Sequence, residues 1–204
     1  MCVNNTFKRI GAFIFDFLLV SFIVTIFSEF RIINPYFDSY NSVSEQYIEY
    51  INSVSLDSNI ESSVVNNYLY QISYYSTYIN IIMIVFQFIY YCIFQYFNDG
   101  KTIGKALMRI KVVSNDGKRV KFYQLLIRTF IINGMLITCL NVVSLFIFSK
   151  EVCLEVLPLI QFADTLIMFV CLLMLLFRKD GRSLHDLVSG SKIKEEKIIL
   201  VDKV

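Results

Sequence analysis

Four long apolar runs alternate with polar stretches along this 204-residue chain, at about 10–28, 73–97, 124–148 and 157–177. Each reaches the ~17–20 residues that a helix needs to cross a ~30 Å hydrocarbon core. The polar stretches carry patterns of their own. In 43–54, Val43, Tyr47, Ile51 and Val54 recur at helical spacing, and in 58–72 Ile60, Val64, Tyr68 and Ile72 recur every fourth position behind a Ser58–Glu61 capping box. Residues 29–72 therefore predict a small helical insertion. Between the second and third runs, 98–122 reads as a short amphipathic helix from Thr102 to Arg109, then a strand-like stretch at 110–114. The turn signal Asn115-Asp116-Gly117 and a second strand-like run follow. The pattern predicts one all-α domain, a polytopic integral membrane protein with four transmembrane helices and a small helical outer segment.

Composition strengthens this picture. The chain is 56% hydrophobic and 18% charged, with mean hydropathy +0.58, too apolar for a soluble domain of this length. Lys8 and Arg9 precede the first run as they would in a signal peptide, but a signal core is only ~7–15 residues long. This run is longer and carries Asp16, so it is expected to be retained. Charge gives an orientation. Of 19 Lys and Arg, only Arg31 and Lys150 fall on the side of the 29–72 insertion; the others lie before the first run, in 98–122, at Arg128 or in the tail 178–204. The positive-inside rule then places both termini and the basic loop 98–122 in the cytoplasm, with the protein in the plasma (inner) membrane. Such basic segments are expected to lie on anionic lipid headgroups rather than on nucleic acid. The five cysteines form no metal-type pair and no disulfide framework, and neither cofactor nor metal is implied.

The candidate chemistry sits within the apolar runs. Asp16 lies ~12 Å below the cytoplasmic boundary at 1.5 Å per residue. An ionised carboxylate there costs ~2.5–3.5 kcal/mol on insertion scales. Arg9, seven positions earlier, shares its helix face about two turns away, too far for direct pairing. Gly11 and Ala12 between them admit a close neighbour. Asp164 is the second deep acid, with Gln161 and Thr165 on its face. Asn80, Gln87, Tyr91 and Gln95 in the second run, and Asn133, Thr138 and Asn141 in the third, add polar groups. Two staggered acids among such groups suit a hydrated cation or proton path; the same groups also serve as interhelical hydrogen-bonding glue. Gly100 to Ala106 is similar to a phosphate-binding loop but has the wrong glycine spacing, and Ala106 stands where a magnesium-binding hydroxyl belongs. His185 lacks a paired nucleophile or a second histidine, so no enzyme is predicted.

A short internal repeat joins the two halves. Asp99-Gly100-Lys101-Thr102-Ile103 follows the second run and Asp180-Gly181-Arg182-Ser183-Leu184 follows the fourth; Arg9 and Arg128 open the run that begins each half. The halves would share one orientation, like parallel transporter repeats; chance similarity over so few positions is the alternative. The repeat stops short of Asp16, whose counterpart by offset is Met135.

Arg9 to Asp16, Gly100-Lys-Thr-Ile-Gly104-Lys105 with Asp116-Gly117 and Arg128, and Gly181-Arg182-Ser-Leu-His185-Asp186 resemble, in order, the opening, central and closing segments of RDD-family membrane proteins. The resemblance implies that Arg9 and Asp16 are the Arg and first Asp of the family name, and Asp186 rather than Asp164 the second. It also implies cation/proton antiport, an activity proposed for some members. Two functions are therefore expected: exchange of a monovalent cation for protons at Asp16, or a non-transporting scaffold or assembly partner, as a homo-oligomer or with another membrane protein.

Overall fold

A computed structural model of the chain describes residues 2–54, 61–178 and 180–196. The structure is mostly helical, as the hydropathy pattern predicts. Helix α1 is Cys2–Ser28, α2 Phe37–Val54, α3 Ser62–Tyr75 and α4 Thr77–Gln87. A π-helical stretch, Phe88–Phe94, continues from α4 into the single turn α5, Gln95–Phe97. Helix α6 (Ile103–Leu107), strand β1 (Ile110–Ser114) and helices α7 (Phe122–Ile132), α8 (Met135–Ile147) and α9 (Lys150–Phe177) follow. Helix α10 (Leu184–Val188) and strand β2 (Ser191–Glu195) close the described chain.

Among the described residues, three helices are long and apolar enough to cross a membrane: Thr6–Ser28, Thr77–Phe97 and Lys150–Phe177. The expected third span is not one helix. It breaks between α7 and α8, and counts as a fourth span only if the pair is taken together. Gly134 takes φ +63°, a left-handed conformation that ends α7 where a side-chain-bearing residue would be strained. Gln87 Nε2 donates to the Asn133 carbonyl at 3.0 Å, satisfying one of the backbone groups freed there. Arg128 and Met135 consequently lie on different helices, so Met135 is no structural counterpart of Asp16.

Contacts divide the chain into two units. One contains Ser21–Phe86 and Met135–Thr165. In it, the Tyr68 ring lies 5.9 Å from both Tyr47 and Tyr50, joining α2 to α3, and Tyr36 packs against Tyr74, Tyr75 and Tyr78. The two insertion helices are thus present. Ser58, and with it the expected Ser58–Glu61 capping box, lies outside the described residues; Glu61 is the N-cap of α3, without a side-chain capping bond. The fourth span is longer than its hydropathy suggested, running from Lys150 through Pro158. Its exposed Leu159, Phe162, Leu166, Phe169 and Leu176 suit a lipid-facing helix.

The other unit takes the chain up to Val20, Gln87–Gly134 and Leu166 onward. Its centre is a small two-stranded sheet. The stretch after the Asn115-Asp116-Gly117 turn makes only a single bridge, Val113 to Arg119, instead of the expected second strand. Helix α7 begins at Phe122 and leaves too little chain for one. Strand β1 pairs instead with β2, antiparallel over five residue pairs centred on Val112 and Ile193. Val112, Val120 and Leu125 form the buried core, with Tyr96 and Ile193 packed on it.

The sequence repeat is a structural repeat. Gly100 and Gly181 both take positive φ, Thr102 and Ser183 are N-caps of matching geometry, and each opens a five-residue helix followed by a strand. The bonds Asn115 N to Gly190 O (3.1 Å) and Glu196 N to Arg109 O (3.0 Å) join equivalent atoms of opposite copies. Val112 and Ile193 are also equivalent positions, so a local two-fold passes through the sheet.

Candidate functional site

Asp16 projects from α1 into the first turn of α6 and is 1% exposed. Tyr90 Oη donates to its Oδ1 at 2.6 Å and the Gly104 backbone N–H donates to the same oxygen at 2.8 Å. Thr102 Oγ1 donates to Oδ2. Tyr90 Oη in turn accepts the Ile103 N–H at 3.0 Å. Three donors are thus directed at one carboxylate. Their placement depends on two local features. Thr102 has the extended backbone of an N-cap and starts α6. The π-helical stretch carries Tyr90; such bulges occur often at functional positions. Among the described residues no cation lies within ion-pair distance of Asp16.

A second cluster centres on Asp186, which is fully buried. Arg9 donates to its Oδ2 and to the Gly181 carbonyl, while Arg128 donates to its Oδ1 and, at 2.7 Å, to Ser191 Oγ. The Ser183 N–H bonds Asp186 Oδ2 at 3.1 Å, and Ser183 Oγ lies 3.0 Å from the His185 ring. Burial alone would raise the Asp186 pKa; Arg128, His185 and Arg9 outweigh it and hold the carboxyl well below the usual range. Burial, followed by the field of Arg128, drives the His185 pKa far below its ordinary value, so the imidazole is neutral. A folded pKa below the unfolded one means that the unfolded chain takes up a proton first as pH falls. His185→Gln should therefore lessen the loss of thermal stability on going from about pH 7 to about pH 5, relative to wild type in the same detergent.

Arg9, Arg128, His185, Asp186, Gly100, Gly104 and Lys105 all fall in this unit, together with Asp16. Gly100 takes φ +79°, and a Cβ there would meet the Val112 carbonyl at 2.3 Å, so glycine is required. Arg182 lies apart from the cluster; its N–H bonds Asp180 at 3.2 Å. Asp164 belongs to the other unit and its Oδ1 has no hydrogen-bond partner among the described residues. Thr165 does not serve it, because its hydroxyl donates to the Gln161 carbonyl at 3.0 Å. Sequence reasoning missed Tyr90 and Thr102. Tyr90 faces Asp16 only because of the π-helical stretch, whereas Thr102, at a visible helix start, carried a readable signal. No group of three His, Cys, Asp or Glu side chains is gathered for a metal among the described residues.

The family model described as "RDD family" matches residues 3–190. The chain belongs to the RDD family. Comparison with curated proteins and with solved structures gives no match. In this RDD-family protein, the matched region contains the Asp16 tie and the Arg9–Asp186–Arg128 cluster entire. Arg9 does not pair with Asp16, seven residues away on its own helix; its carboxylate is Asp186, at the far end of the family region.

Proposed function

We propose that this RDD-family protein is a non-transporting membrane module of the plasma (inner) membrane, with both termini cytoplasmic and a rigid basic face that receives a membrane-protein partner or anionic lipid. The observation that carries this reading is the engagement of Asp16 within its own chain. Both its oxygens are engaged by donors from its own chain, and two of those donors fix the loop helix α6. The acid then acts as a tie from α1 to the basic loop. The Arg9–Asp186–Arg128 cluster holds the tail segment to the same framework.

Exchange of a monovalent cation for protons at Asp16 is the second reading. One observation favours it: the charge of Asp16 is met by neutral donors, and two of these are hydroxyls that can turn to accept.

Vesicles reconstituted with the full chain and a lumenal pH dye separate the two readings. The module predicts no pH change on sodium or potassium addition. It also predicts that Asp16→Asn speeds hydrogen exchange at α6 and weakens detergent-stable assembly. A sodium- or potassium-dependent pH change in wild type, lost in folded Asp16→Asn, overturns it in favour of exchange.

A further inference from the structure

We propose that Lys105 is a proton-binding site of this protein, neutral in the assembled cluster and able to take up a proton there. The first support is charge balance. Asp16 and Arg9 on α1, Arg128 on α7, and Asp186 and His185 on α10 are the charged and titratable groups that act on Lys105. Both arginines stay charged at any relevant pH. Asp186 is clamped by the two arginines, and Asp16 accepts three hydrogen bonds from neutral donors. His185 is neutral. The two arginines already match the two carboxylates in number, and a Lys105 ammonium would add a third cation to the cluster.

The second support is hydrogen bonding. The partner of Lys105 Nζ is the neutral Gln95 Oε1 at 3.3 Å, and no carboxylate among the described residues lies within ion-pair distance of the amine. Gln95 is held in turn by its Nε2 bond to the Gly100 carbonyl at 2.9 Å. A single amide oxygen is satisfied by –NH2 as well as by –NH3+, so the site accepts both states.

The local two-fold supplies the third support. Lys105 and Asp186 occupy the same position of the two copies. The second copy places a carboxylate between Arg9 and Arg128; the first places an amine against the Gln95 amide oxygen. Desolvation, followed by the field of Arg128, pulls its pKa from 10.5 down to about 7. Because that value lies below the unfolded one, the unfolded chain binds the extra proton in between. Stability therefore rises with pH from about 7 to 10.5.

The test is NMR of the full chain with 13Cε-labelled lysine in detergent micelles. The Lys105 signal is the one absent from Lys105→Arg, or from Lys105→Gln if the arginine variant does not fold. A titration midpoint near 7 is expected. It should persist in His185→Gln and move lower in Asp16→Asn, because that change removes an anion that favours the ammonium. A midpoint near the ordinary ~10.4 overturns the assignment, as does one unmoved by Asp16→Asn. The measurement reads the proton directly and vesicle flux reads transport, so either proposal can fail without the other.

Discussion

Asp186→Asn is expected to destabilise the protein by about 3–5 kcal/mol, the range for breaking a buried ion pair by removing one partner. Asp186 is fully buried and serves two guanidinium groups at once. Neutralising it leaves Arg9 and Arg128 facing each other with no counter-charge. Asparagine also keeps only one acceptor oxygen for the Arg9, Arg128 and Ser183 N–H donors that two carboxylate oxygens serve, which loosens α10, the element that leads into β2. Unfolding in detergent, followed by circular dichroism, gives the size of the loss. Truncating all three members, Arg9→Met and Arg128→Met with Asp186→Leu, should recover most of it, because an apolar replacement carries no desolvation cost. An Asp186→Asn variant within ~1 kcal/mol of wild type would mean that solvent reaches the arginines and the cluster is not a buried one.

The spans and the insertion helices were legible because membrane thickness and helical period are local rules. The charged residues Arg9, Asp16, Arg128 and Asp186 were legible, whereas Tyr90 and the pairing were not, Thr102 was missed at its visible helix start, and Asp164 falls in the other unit. Arg9 and Asp16 share a face of α1, which invites a search for one joint role. Yet Arg9 turns to Asp186 and Asp16 to α6, through contacts that no sequence spacing encodes. The turn at Asn115-Asp116-Gly117 predicted a hairpin from a local signal; the competing partner for β1 was a strand some eighty residues away, outside the reach of turn rules. That strand was nonetheless implicit in the repeat. Aligning Asp99-Gly100 with Asp180-Gly181 and extending the alignment sets Ile110–Ser114 against Ser191–Glu195 as equivalents, which become partners under a two-fold. The same extension aligns Lys105 with Asp186, a basic residue against an acidic one, which resembles noise until the structure shows the two-fold. The break after Asn133 had a legible cause in Gly134, but hydropathy averaged over the span and hid it.

Gly104→Ala should be strongly damaging, for a reason unrelated to backbone conformation. A Cβ on Gly104 would lie 2.5 Å from the Ala12 carbonyl, 2.8 Å from Asp16 Oδ1 and 2.9 Å from its Cγ. The first contact is with α1 backbone, which cannot swing aside, so α6 must retreat and stretch the bonds to Asp16. Overpacking costs about 1–3 kcal/mol and each hydrogen bond to a charged group about 1.5–3 kcal/mol, against ~1 kcal/mol gained because alanine favours helix. The expected net loss is roughly 2–4 kcal/mol, read by unfolding in detergent, with faster hydrogen exchange over α6. Gly11→Ala is the control, on the helix that bears Asp16. Its Cβ would meet only the mobile tip of Met108, at 3.1 Å, so a change within ~1 kcal/mol is expected. A double-mutant cycle then tests the cause. If Gly104 matters because it lets α6 reach Asp16, the losses from Gly104→Ala and Asp16→Asn overlap, and the pair costs less than the two together. Full additivity would place the effect of Gly104 in the Ala12 contact alone and remove the loop helix from the role assigned to Asp16.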